Sequence, residues 1–198
     1  TSRSGAASYN ISMNLINNTS ETNISKMATA YARLMSSLIS ITNQEQGILV
    51  TPSTINFTSN VLNISAHGKI NLSVRYNEPD QLNIIESKIV KLLPKYKNLI
   101  DSYISIGNKR PVMSRTSHVD TLWKTFKTIA NNLDIRLREE HRWSSSDICF
   151  VPDENHKIDG VGPIGTRDEN KQEYILKYSL IERSALLAVA IHHLGTQK

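Results

Sequence analysis

Strict alternation of apolar and polar residues occurs twice in the first half of the chain, and each time a stripe of helical period follows it. Tyr9, Ile11, Met13 and Leu15 share one side of the first stretch, with Asn10, Ser12 and Asn14 on the other. Period two with a single apolar side describes a half-buried strand. Ile24, Met27, Tyr31, Leu34, Leu38 and Ile41 then recur at spacings of three and four, the stripe of an amphipathic helix. After Gly68 the pattern repeats: Ile70, Leu72, Val74 and Tyr76 point inward, with Asn71, Ser73 and Arg75 outward. Leu82, Ile85, Ile89 and Leu92 form a second helical stripe, which Pro94 ends or kinks.

Residues 48–57 are rich in β-branched types, with Pro52 at an edge or bend, and residues 61–65 are expected to pair next. Ser102–Ile106 reads as a short strand. Residues 6–108 thus run strand, helix, strands, helix, strand, which predicts an α+β, ferredoxin-like unit of two helices on one side of an antiparallel sheet. Residues 109–198 form a second region. Val119, Leu122, Phe126, Ile129 and Leu133 make a third helical stripe, started by Ser117 and Asp120, with Trp123 at its polar border. Ile135–Glu139 reads as a short strand and residues 142–171 as loops. Ser179 to Glu182 reads as a capping box that opens a last helix ending before Gly195.

Composition excludes more than it assigns. The net charge of +5 is scattered, and its densest group, Lys88, Lys91, Lys95 and Lys97, lacks the aromatic interleaving of a nucleic-acid surface. No apolar run approaches the ~20 residues of a membrane span. The single cysteine, Cys149, excludes an internal disulfide and reads as a small buried hydrophobe. The chain begins Thr-Ser-Arg-Ser-Gly, which reads as a cut, processed or incomplete product.

The order of these pieces resembles the zinc carboxypeptidases and aminoacylases typified by bacterial glutamate carboxypeptidase. Arg3-Ser4-Gly5 before the first strand, Asn63-Ile64, and the strand Ile70–Tyr76 containing Arg75 are similar to that family's lid, an inserted dimerisation domain. Ser144-Ser145-Ser146-Asp147 resembles its Gly-Gly-Thr/Ser-Asp turn, and Asp159-Gly160-Val161-Gly162-Pro163-Ile164-Gly165 its Asp-Gly-Leu-Gly-Pro-x-Gly loop. Glu173-Tyr174-Ile175 and the helix from Ser179 resemble its C-terminal ending.

The resemblance implies a lid over residues 6–108 and the C-terminal portion of an α/β zinc-exopeptidase-like catalytic domain over 109–198. It implies a homodimer formed through the lid, with the N-terminal catalytic half supplied from elsewhere. The activity implied is hydrolysis of peptides or N-acyl amino acids, with zinc ions polarising the carbonyl and activating water. Most ligands for that zinc would lie in the half this chain lacks. Substrate contacts fall on Arg110, Asn63, Ser144, Ser145, Ser146 and Gly162. Arg110 precedes Pro111 and reads equally as a linker arginine or as the fork that grips a substrate carboxylate. The serine turn can offer N–H groups to an anion or cap a helix.

Two departures stand out. No histidine follows the Gly-Pro-x-Gly loop, which leaves Asp168 or Glu169 as carboxylate ligands in its place. None precedes the first lid helix, where the family places an oxyanion donor. The six histidines present rebuild no site, and only His141 lies near the serine turn in sequence. A chain of this kind is expected to be inactive alone. The alternative is a non-catalytic dimerisation or interaction module of the same ancestry.

Overall fold

A computed structural model describes residues 2–16, 20–93, 98–166 and 173–196. The chain divides into two compact units. One comprises Arg3–Val112 and Arg142–Cys149, and the other Thr1–Ser2, Met113–His141 and Phe150–Lys198.

The first unit is built on four strands, β1 (Gly5–Leu15), β2 (Ile48–Asn60), β3 (Ser65–Tyr76) and β4 (Ile100–Arg110), and two helices, α1 (Glu21–Ile39) and α2 (Gln81–Leu92). Spatial order is β2-β3-β1-β4, and every neighbouring pair is antiparallel. Strand, helix, two strands, helix and strand in this order is the split βαβ arrangement, the ferredoxin-like topology that the sequence pattern predicts. The inward set meets the helical stripes: Tyr9, Ile11, Met13, Ile70, Leu72 and Val74 join Met27, Leu34, Leu38, Ile85 and Ile89 in one buried cluster. Each such side chain contributes roughly 1.5–3 kcal/mol through the area it removes from water. Gly68 is required by this packing, because a Cβ there would lie 2.5 Å from the Tyr31 ring. The Tyr31 hydroxyl then reaches over β3 to the Lys69 carbonyl at 2.9 Å.

Several local expectations change. Val61–Ile64 is the turn of the β2–β3 hairpin rather than paired strand, with Ile64 at φ 42°. Pro52 sits where the edge strand β2 shifts register against β3, so its missing N–H costs no regular ladder bond. β4 extends to Arg110, which makes Arg110 a strand residue and not a linker residue. Pro94, Lys95, Tyr96 and Lys97 lie outside the described residues.

The second unit holds α3 (Ser117–Asn132) and α4 (Lys177–Thr196). Leu122, Phe126, Ile129 and Ala130 of α3 pack with Ile135, Leu186 and Ala190. Thr116, one residue ahead of the expected start, caps α3 by accepting from the Val119 N–H at 3.3 Å. Trp123, at the border of the stripe and expected to pack, is buried. Ile135–Glu139 is not a strand: Asp134 turns the chain at φ 54°, and the segment finds no ladder partner among the described residues. The capping box is also displaced. Ser179 lies inside α4, fully buried, donating to the Leu176 carbonyl at 2.7 Å and accepting from the Ile164 N–H at 2.9 Å. The helix continues through Gly195 to Thr196.

Candidate functional site

The serine turn returns to the first unit and is tied to the ends of its strands. The Ser4 N–H donates to the Arg142 carbonyl at 3.0 Å, holding the returning segment beside the start of β1. Arg3 Nη1 donates to Ser144 Oγ at 2.9 Å, Arg75 Nη1 to Ser145 Oγ at 3.2 Å, and Arg110 Nη1 to Asp147 Oδ1 at 2.5 Å. Three arginines from three separate places in the sequence therefore meet one four-residue turn. Beyond Asp147 a 3-10 turn begins, closed by the Cys149 N–H on the Ser146 carbonyl at 3.1 Å. Cys149 is free and buried, as its composition-based reading expects.

Arg110 is positioned from below. Its carbonyl accepts from the buried Tyr76 hydroxyl at 2.9 Å. The Tyr76 ring lies across Gly5, its partner in the β1–β3 register, where a Cβ would fall 2.4 Å from the ring. Burial raises the Tyr76 pKa above its ordinary value, with Cys149 and Glu86 adding to the effect, so the hydroxyl stays a donor. The Arg110–Asp147 pair itself is open to water, the aspartate side chain being 86% exposed. Such a pair contributes about 0–1 kcal/mol, so its carboxylate is readily exchanged for another.

The remaining candidates are dispersed. Asn63 is exposed in the hairpin turn, at the opposite end of β3 from Arg75, and its N–H bonds Asn60 Oδ1 at 3.1 Å. The fold does not bring it to Arg110. Gly162 belongs to the other unit and is exposed in the loop that carries Gly160 at φ 76°. That loop ends in a two-residue pairing of Gly165–Thr166 with Tyr174–Ile175. Asp168 and Glu169 lie outside the described residues. His141 Nδ1 is 3.0 Å from Ser2 Oγ, and the His118 and His156 rings stack edge-on at 5.1 Å. Among the described residues no group of three or more His, Cys, Asp or Glu side chains is placed to hold a metal ion. These residues do not fit a zinc centre. No helix among them is long and apolar enough to cross a membrane.

The residue-by-residue reading of the sequence missed two polar arrangements. Lys157 is buried and donates to the Val151 carbonyl and to Asp153 Oδ1, both at 2.7 Å, stapling its loop. Glu86 of α2 accepts from the Tyr9 hydroxyl at 2.7 Å and pairs with Lys109 Nζ at 2.5 Å. The hydrogen bond from Lys109 holds the Glu86 carboxyl below its usual range; burial opposes this and the bond from Tyr9 assists it. Burial first, then Glu86, pushes the Tyr9 hydroxyl far above its ordinary pKa. Arg75 was visible in the sequence as an outward position in an alternating strand that resembles a lid strand, and neither signal carries a hint of its neighbours.

The fold of these units is similar to that of about half of several solved peptidases and amidohydrolases. The aminopeptidase PepT from Bacillus cereus matches with a TM-score of 0.71 at 14% identity, over 98% of this chain and 53% of its own. A tripeptidase from Staphylococcus aureus matches with a TM-score of 0.72 at 14% identity, over 98% and 54%. The Bacillus subtilis YXEP protein, described as a dinuclear metal binding peptidase from the M20 family, gives 0.71 at 13% identity, over 98% and 51%. The chain thus spans about half the length of the solved structures it matches. No family model matches the sequence, and no curated protein matches it.

Proposed function

We propose that this chain is the lid and C-terminal portion of a metal-dependent peptidase or amidohydrolase of the M20 type, acting on peptides or N-acyl amino acids. The observation that carries the reading is the match over nearly the whole chain to half of several such enzymes. Arg110 supports it locally: its guanidinium already holds a carboxylate, that of Asp147, in an exposed and exchangeable pair. In this reading Arg110 receives the substrate carboxylate, with the Ser144–Ser146 turn beside it. Asn63, remote from this turn, would serve only a site formed with a second copy, through a homodimer of the lids. Gly162, in the other unit, lets backbone approach a ligand without a side chain.

The metal chemistry would come from the half that this chain does not span. Within this chain no step is assigned to zinc, because the described donors do not assemble. The test uses the protein with its full natural upstream sequence. The reading expects a His-x-Asp motif and a Glu-Glu pair there, bound zinc, and hydrolysis of N-acyl amino acids that Arg110→Ala suppresses. Metal-free protein, inert with added Zn²⁺ or Co²⁺, would instead establish the second reading, a non-catalytic dimerisation or interaction module. The missing histidines favour that second reading.

A further inference from the structure

At one end of the first unit, chain order brings three element ends together. β4 starts at Ile100, which pairs with Leu15 at the end of β1. α1 begins soon after β1 and α2 ends shortly before β4, so the start of α1 and the end of α2 share this end of the sheet. A groove of about 580 Å³ opens here between α1 and the start of β4. That volume falls within the roughly 300–1,000 Å³ of small-molecule sites. Thr22, Lys26, Thr29 and Arg33 line it at spacings of four, three and four, one stripe along α1. Its apolar floor is Ala30 and Ile100, both buried, with the half-buried Leu99. The Leu99 carbonyl accepts from the Ile16 N–H at 3.0 Å, which fixes the floor to the end of β1.

The lining carries two cations and no acid. Lys26 and Arg33 are seven positions apart, roughly 10 Å along the helix, and both are exposed. Neither has an ion pair or hydrogen bond among the described residues, and the Thr22 and Ser25 hydroxyls are equally unengaged. Lys88 and Lys91, in the last turns of α2, add two more exposed cations at this end. Glu21 and Asp101, the nearest acids in sequence, do not line the groove. A bare anion would satisfy the cations and leave the floor wet, whereas an uncharged apolar molecule would cover the floor and leave both cations without counter-charge. We propose that this groove binds a small anionic amphiphile, an alkyl carboxylate of medium chain length. Its carboxylate sits on the Arg33 fork with Lys26 as a second positive charge, and its chain lies over Ala30, Leu99 and Ile100. The groove is at the opposite end of β1 and β4 from the serine turn, since Arg110 pairs with Ala6 and Ile100 with Leu15. The proposal therefore stands apart from any role of Arg110.

The experiment titrates the protein with its full natural upstream sequence by calorimetry, using decanoate below its micelle-forming concentration. Acetate supplies the head without the tail, and decyltrimethylammonium the tail with the opposite charge. Decanoate is expected to bind at least about tenfold more tightly than either. Arg33→Gln should weaken decanoate about tenfold, the loss of one charge-assisted contact, and Lys26→Gln by a smaller factor. Both positions are exposed, so the variants should melt like the wild type. Decanoate binding should survive Arg110→Ala. No binding of decanoate, acetate or decyltrimethylammonium binding as tight as decanoate, an affinity unchanged in the Lys26→Gln/Arg33→Gln double variant, or binding lost on Arg110→Ala would each overturn the proposal. The last of these would place the carboxylate at Arg110 instead.

Discussion

Replacing Gly5 by alanine puts a methyl where the Tyr76 ring now lies. The added Cβ would sit 2.4 Å from Cζ and 2.9 Å from the hydroxyl oxygen, well inside contact distance. Tyr76 is 2% exposed, so its ring must move within the core to make room. Overpacking of this kind costs about 1–3 kcal/mol. Any tilt of the ring also breaks the bond from its hydroxyl to the Arg110 carbonyl, about 1 kcal/mol more. The sum, roughly 2–4 kcal/mol, lowers the melting temperature by roughly 5–15 °C for a chain of this length. Differential scanning calorimetry checks the shift. Amide hydrogen exchange in β1 and β4 assigns it to the first unit, since the two units need not melt together. The loss should shrink by more than about 1 kcal/mol in a Tyr76→Leu background, where the smaller side chain leaves room for the methyl. A Gly5→Ala protein that melts within about a degree of wild type, or whose cost is unchanged in that background, refutes the claim that Gly5 exists to seat Tyr76.

Glu86 gives a pH signature. Its folded pKa lies below the ordinary 4.5, so the stability it contributes is present above that value and is lost as pH falls through the lowered one. Glu86→Gln should flatten that acid limb in the difference between the two stability curves measured by urea unfolding; identical limbs would show that Lys109 does not hold the charge. Lys157→Met keeps the buried stem and removes the ammonium that bonds Val151 and Asp153, so it should cost about 1–3 kcal/mol and open residues 151–157 to limited proteolysis. Thr116→Ala removes the α3 cap and should cost about 1 kcal/mol, seen as faster amide exchange at Val119 than elsewhere in the helix.

Much of the first unit was legible because its periodicities are unambiguous. Residues 9–15 and 70–76 alternate cleanly, and the α1 and α2 stripes recur at three and four, so local chemistry decides element type and inward side. The errors fell where local pattern is weakest. Ile135–Glu139 alternates over five residues, but a strand exists only with a partner, and the turn at Asp134 takes the segment away from one. Ser179 to Glu182 has the letters of a capping box, yet the hydroxyl of Ser179 is used by Leu176 and Ile164 inside a helix that has already begun. Trp123, marginal on a helical wheel, nevertheless packs as its large apolar body leads one to expect, because surroundings that no wheel contains bury it.

The site divides in the same way. Arg110 and the serine turn were named from the sequence because a resemblance marked them, and the helical and strand periods placed them in separate regions of the chain. Their meeting depends on antiparallel register, which sets Ala6 opposite both Arg75 and Arg110. A slip of one residue in either ladder would send one arginine to the helix-covered side. Residue order alone determines which segments are strands and which side of each is apolar, because those follow from local spacing and burial. Which two cations stand together, and which carboxylate pairs with one of them, is decided only by long-range pairing.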